Sequence, residues 1–213
     1  MKTDELIASM ATNLRPVSPA APAWRITGGL IAGAVVALAG IMAVAGPPFA
    51  YILATGISTF TVKLAYTIAM TLLAAVLLLG VGRPGRRQGW RYAWLLLPPL
   101  VIGAAAAMEF AGAPADARLG MVFASTWQTC LASISLMSLP IFVGLLWAFR
   151  RLAPTQLHLA GGLAGLCAGA AASVVYALYC PETAATFLIS WYTLGMAVAA
   201  TAGATVGARL LRW

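Results

Sequence analysis

Apolar residues run through this chain in six long blocks, separated by short polar or basic stretches. The blocks are Ile26–Ala45, Leu64–Val81, Tyr92–Phe110, Trp127–Phe149, Leu159–Tyr179 and Tyr192–Leu211. Each is close to the roughly 20 residues that a helix needs to cross a bilayer. The pattern predicts an all-α membrane protein: a six-helix transmembrane bundle built as three antiparallel hairpins. Residues 1–25 read differently. Thr3 suits a helix N-cap, and Asp4 and Glu5 suit the positive end of a helix. Leu6, Ile7, Met10 and Leu14 then recur at helical spacing, giving one apolar stripe. Pro16 ends that pattern, and Pro19 and Pro22 predict a stiff, extended tether. The expected organisation is a cytoplasmic segment, 1–25, followed by a membrane domain, 26–213.

Composition supports this division. Of 213 residues, 62% are apolar and only 8% charged, far below the roughly 25% charged residues of a soluble domain. Little chain remains outside the blocks for a water-soluble catalytic domain. Charge then gives a direction. Every basic residue except Lys63 and Arg118 falls before block one, between blocks two and three, between four and five, or at the end of the chain. The positive-inside rule places those stretches and both termini in the cytoplasm. The net charge of +8 is thereby a topology signal and does not call for a nucleic-acid surface. Ala43-Val44-Ala45 resembles a signal cleavage site, but the apolar run before it exceeds the 7–15 residues of a signal core and reads as a retained span.

Small residues recur at intervals of four: Gly29 and Gly33; Gly161, Gly165 and Gly169; Gly203 and Gly207. Such spacing lets helix backbones approach closely in lipid, and span five is expected to be buried and tightly packed. Pro98, Pro99 and Pro140 mark helix starts or kinks. The stretch from Gly46 to Lys63 is expected to be a long, semi-apolar connection.

Two cysteines, Cys130 and Cys180, stand at the start of span four and just past span five. That puts both at one face of the membrane, on the outer side given the charge rule. There they can pair, be oxidised or share a soft metal, or each can be a small buried hydrophobe. Cys167 is about 20 Å from Cys180 along the helix and reads as packing. His158 lies at the opposite face and cannot join a site with them. Glu182 follows Cys180 closely and offers an oxygen ligand or a hydrogen-bond acceptor. Glu109 lies near the outer end of span three, and Lys63 is placed to pair with Glu109 or Glu182 at the outer rim. No catalytic constellation and no cofactor motif is present. A small-solute or ion transporter or channel is the alternative, supported by Ser133, Ser135 and Ser138 in span four, but the midplane of the spans otherwise lacks charge. The 1–25 segment is either an interfacial helix on the lipid bilayer or a helix-in-groove ligand for a cytoplasmic protein.

Several stretches together resemble one family. They are Met1-Lys-Thr-Asp-Glu-Leu-Ile, Trp127-Gln-Thr-Cys130-Leu, Trp147-Ala-Phe-Arg150-Arg-Leu-Ala-Pro-Thr155, Tyr176-Ala-Leu-Tyr-Cys180-Pro-Glu182 and Trp191-Tyr-Thr-Leu-Gly195. The chain resembles the NrsF-type membrane anti-sigma factors along nearly its full length. The resemblance implies six membrane helices and a short cytoplasmic N-terminus that binds an extracytoplasmic-function sigma factor. Residues Thr3, Asp4, Glu5, Leu6, Ile7, Met10 and Leu14 are the expected contacts. It further implies that Cys130 and Cys180, with Glu182 beside them, sense heavy-metal or oxidative stress, with Cys130 and Cys180 as metal-ligand candidates. The family pattern has a His before the second cysteine. Tyr179 stands there in this chain, which removes an imidazole ligand and favours thiol chemistry over chelation.

Overall fold

Six helices long and apolar enough to cross a membrane carry the architecture in the computed structural model, which describes residue 3 and residues 20–48, 57–82, 89–149 and 156–210. The first span is α1, Ala21–Ala45, and the second is α2, Ile57–Val81. A 3-10 stretch, Gly89–Leu96, leads into α3, Leu97–Gly112. A short helix α4, Arg118–Val122, precedes α5, Trp127–Phe149, and α6 covers Leu157–Ala177. The last span opens with one turn, α7 (Ala185–Phe187), passes through a π-helical stretch at Leu188–Tyr192 and continues as α8, Thr193–Leu210.

Several boundaries differ from the sequence expectation. Pro22, expected in an extended tether, sits in the first turn of α1. Proline is tolerated there because the first helical N–H groups have no intrahelical partner. Pro98 and Pro99 occupy the same place in α3. The connection from Gly46 is shorter than expected, because α2 already begins at Ile57 and takes in Lys63. Thr3 is helical and exposed. Asp4, Glu5, Leu6, Ile7, Met10 and Leu14 lie outside the described residues.

The three sequence hairpins are not three packed pairs. The first pair, α1 and α2, barely touches, whereas the last, α6 with α8, packs closely as expected. The main interfaces are α6 with α8, α2 with α6, and α1 with α5, followed by α5 with α6. Helix α6 is thus the axis of the bundle, and most of its residues are buried. The expected close packing of small residues is what makes this possible. A Cβ on Gly165 would meet the backbone of Ala199 and Ala200, and one on Gly161 would meet Gly203 and Gly207. A second seam joins α1 to α5, where Gly29 lies against Gly144 and Gly33 against Pro140 and Ile141. The outward faces carry exposed Val35, Leu72, Val76, Leu100, Leu136 and Val143, a surface that suits hydrocarbon and not water. Several hydroxyls within the spans are satisfied on their own helices: Thr67 donates to the Lys63 carbonyl, Ser138 to Ser135 and Ser173 to Gly169. Tyr66 and Thr193 instead bond each other across two spans at 2.7 Å.

Candidate functional site

Polar chemistry concentrates at one end of this apolar bundle. The start of α2, the end of α3, the start of α5, the end of α6 and the entry to the last span all meet there. Cys130 lies on the first turn of α5, its N–H donating to the Thr126 carbonyl at 2.8 Å. Cys180 ends the turn that follows α6, its N–H donating to the Tyr176 carbonyl at 3.1 Å. Both are buried free thiols. The structure therefore brings the two predicted cysteines to the same end and the same core. Cys167 is also a buried free thiol, within α6 and apart from them. His158 is at the opposite end, its Nδ1 at 3.2 Å from the Ala204 carbonyl.

Lys63 is the main departure from expectation. It makes no rim ion pair: its side chain is fully buried, and Nζ donates to the carbonyl of Cys180 at 2.7 Å. Cys180, Glu182 and Cys130 all lie within electrostatic range of it. The two carboxylates expected to pair with Lys63 have other partners. Glu182 accepts a hydrogen bond from the Thr126 hydroxyl at 2.9 Å, tying the segment after Cys180 to the start of α5. Glu109 accepts from the N–H groups of Ala185 and Thr186 at 2.8 and 3.3 Å. It thereby caps the last span from α3 and satisfies donors that a helix start leaves unpaired.

Aromatic residues enclose this end. Trp127 and Trp191 approach to 4.6 Å between ring centroids, with Phe123 edge-on to both. Trp191 Nε1 donates to the Val122 carbonyl at 2.7 Å. Tyr192, in the π-helical stretch, is fully buried beside Tyr176 and Phe187. Its hydroxyl is the one buried side-chain polar atom among the described residues that lacks a hydrogen-bond partner of good geometry, and it lies next to the Cys180 thiol. Burial pushes the Cys180 thiol above its ordinary value. Lys63, the Tyr192 hydroxyl and the Glu182 N–H pull the other way, and the Glu182 charge adds to the rise.

Tyr179 has a definite task. Its hydroxyl donates to the Gly46 carbonyl at 3.0 Å. Gly46 closes α1 with φ +77°, a backbone conformation that other residues rarely adopt. The residue before Cys180 is thus fastened to the end of span one.

Among the described residues no three His, Cys, Asp or Glu side chains converge as a metal set, and a lysine nitrogen stands at the edge of the pair, where a dication would be repelled. Lys63 and Tyr192 were not among the expected site residues. A single lysine within an apolar helix was the available signal for the first. Tyr192 carried none, since a tyrosine at a span start reads as an ordinary interfacial residue.

The family described as NrsF, negative regulator of sigma F, matches residues 10–213 of this chain. A relative from Azospira oryzae, described as a probable anti-sigma-F factor NrsF, is 36% identical over 213 residues, covering both chains entirely. Another from Caulobacter vibrioides, described as an anti-sigma-F factor NrsF, is 31% identical, again over the whole of both chains. No solved structure matches.

Proposed function

The chain belongs to the NrsF family of negative regulators of sigma F, and from that premise we propose that it is an inner-membrane anti-sigma factor that holds an extracytoplasmic-function sigma factor on residues 1–25 and releases it when Cys130 and Cys180 are oxidised from outside. The observation that carries this reading is the convergence of two free, buried thiols with Lys63 at one end of the bundle. The basic residues flanking the opposite end, among them Arg25, Arg91 and Arg209, support a cytoplasmic orientation for that end. Oxidation by a peroxide joins two thiols in a disulfide and yields two waters. The O–O bond breaks, and the sulfurs give up two electrons.

Two contacts offer a route to the tail. Cys130 sits on α5, whose close glycine seam holds α1. Tyr179, next to Cys180, is bonded to the C-terminal end of α1. Moving either sulfur moves a contact of span one, and span one leads directly to the sigma-binding segment. Reversing a switch from 1:99 to 99:1 takes about 5.5 kcal/mol, of which a disulfide supplies about 2–4 kcal/mol.

A Cys130→Ser, Cys180→Ser double variant tests the reading. It is expected to retain the sigma factor in unstressed membranes and to lose its release under peroxide. An unchanged stress response would contradict it. Recovery of a sigma factor by a 1–25 peptide tests the binding segment, and capture of lipid alone would favour an interfacial anchor.

A further inference from the structure

Lys63 sits where a membrane helix has no use for a charge. It lies in the second turn of α2, in an otherwise apolar helix, and none of its surface is exposed. Burying an amine is costly unless it finds a partner. Its partner here is the carbonyl of Cys180, on a segment 117 residues away. The titratable groups around it come from every neighbouring element: Cys130 from α5, and Cys180 and Glu182 from the segment after α6. Tyr176 of α6 and Tyr192 of the last span adjoin Cys180. The Glu182 carboxylate is engaged by the Thr126 hydroxyl. A second observation points to the same sulfur: the fully buried Tyr192 hydroxyl has no partner of good geometry and lies beside the Cys180 thiol. A lysine amine and a tyrosine hydroxyl therefore border Cys180 in a space without exposed surface.

We propose that Lys63 is the positioning residue of the two-sulfur site: it fixes Cys180 through its carbonyl and supplies the positive charge beside which a sulfur anion forms when an oxidant or electrophile arrives. The Tyr192 hydroxyl is the donor that this anion takes up. The inference rests on the reading of Cys130 and Cys180 as the responsive pair. Its chemical logic is that the thiolate, not the thiol, is the nucleophile, and that burial disfavours an isolated charge. An anion formed next to a buried cation is partnered at once.

Iodoacetamide, applied to the full-length protein in proteoliposomes, provides the test. Alkylation forms an S–C bond and breaks C–I with loss of iodide, and mass spectrometry reads each cysteine separately. Lys63→Gln keeps a donor for the Cys180 carbonyl and removes the charge. It is expected to slow labelling of Cys180 about tenfold at neutral pH, the equivalent of about one pKa unit. Lys63→Arg, which keeps the charge, is expected to restore most of the rate. Buried Cys167 reports the fold and is expected to stay protected. Should Gln loosen the bundle, Lys63→Met fills the same space with no charge and no polar group of its own and carries the comparison. Labelling at the wild-type rate in a folded chargeless variant would overturn the role of Lys63. That failure is distinct from failure of the sensor reading, in which stress release would survive loss of both sulfurs.

Discussion

The α6–α8 seam and the cysteine end of the bundle are held by opposite means. The seam is made of glycines and alanines whose backbones touch, with no polar side chain required. The cysteine end is made of long-range hydrogen bonds: Lys63 to Cys180, Thr126 to Glu182, Glu109 to the start of the last span, and Tyr179 to Gly46. Backbone contact in a seam admits one arrangement, because nothing can be inserted without separating the helices. Hydrogen bonds between segments can be exchanged when one partner changes chemically. The difference teaches that one region is fixed by backbone contact and the other by side-chain bonds that a chemical change can exchange.

The sharpest way to break the comparison is at the seam. Gly165→Leu forces a side chain into the backbone of Ala199 and Ala200. It is expected to lower stability by about 3 kcal/mol or more, read by unfolding in mixed detergent. Gly28→Leu is the control, since nothing lies within 4 Å of a Cβ there, and it is expected to change little. Equal losses in the two would remove the seam's special status.

At the cysteine end the expected effects are smaller and more selective. Glu109→Ala leaves the Ala185 and Thr186 N–H groups without their acceptor, at a cost of about 1–3 kcal/mol. Faster amide exchange at those two positions, ahead of the rest of the chain, is the expected signature. Tyr179→Phe removes one hydrogen bond, worth about 1 kcal/mol. It is expected to reduce sigma release while disulfide formation proceeds, because it detaches Cys180's segment from α1. Full release in that variant would leave the α5–α1 seam as the route. Tyr192→Phe removes a hydroxyl with no partner. Stability is expected to hold or to rise by up to about 1 kcal/mol, measured by the same unfolding assay.

The six spans were legible because apolar runs of membrane length need no tertiary information. Their starts were less so. Pro22 and the Gly89–Leu96 stretch look like connections until the helix beyond them is seen. That Cys130 and Cys180 share one end of the bundle follows from the parity of the spans; their burial in one core does not. Which spans pack together does not follow either, since an apolar run names no partner; only the glycine stripes of α1, α6 and α8 gave part of that answer. Lys63 was misplaced for a related reason. A charge ordinarily ends a span, so the second block was begun one residue after it, at Leu64. The group that accommodates it, the Cys180 carbonyl, lies in another hairpin and leaves no local trace. Glu109 was likewise seen as a helix-end acid, while its role as a cap for the last span depends on α3 packing beside α7.

The most direct test of the sensing account is to follow the Cys130–Cys180 disulfide and the membrane-bound sigma factor together, in native membranes, through a peroxide pulse. The account predicts that the cross-linked peptide appears with the same time course as sigma release, and that reduction restores binding. Release without the cross-link, or the cross-link without release, would contradict it.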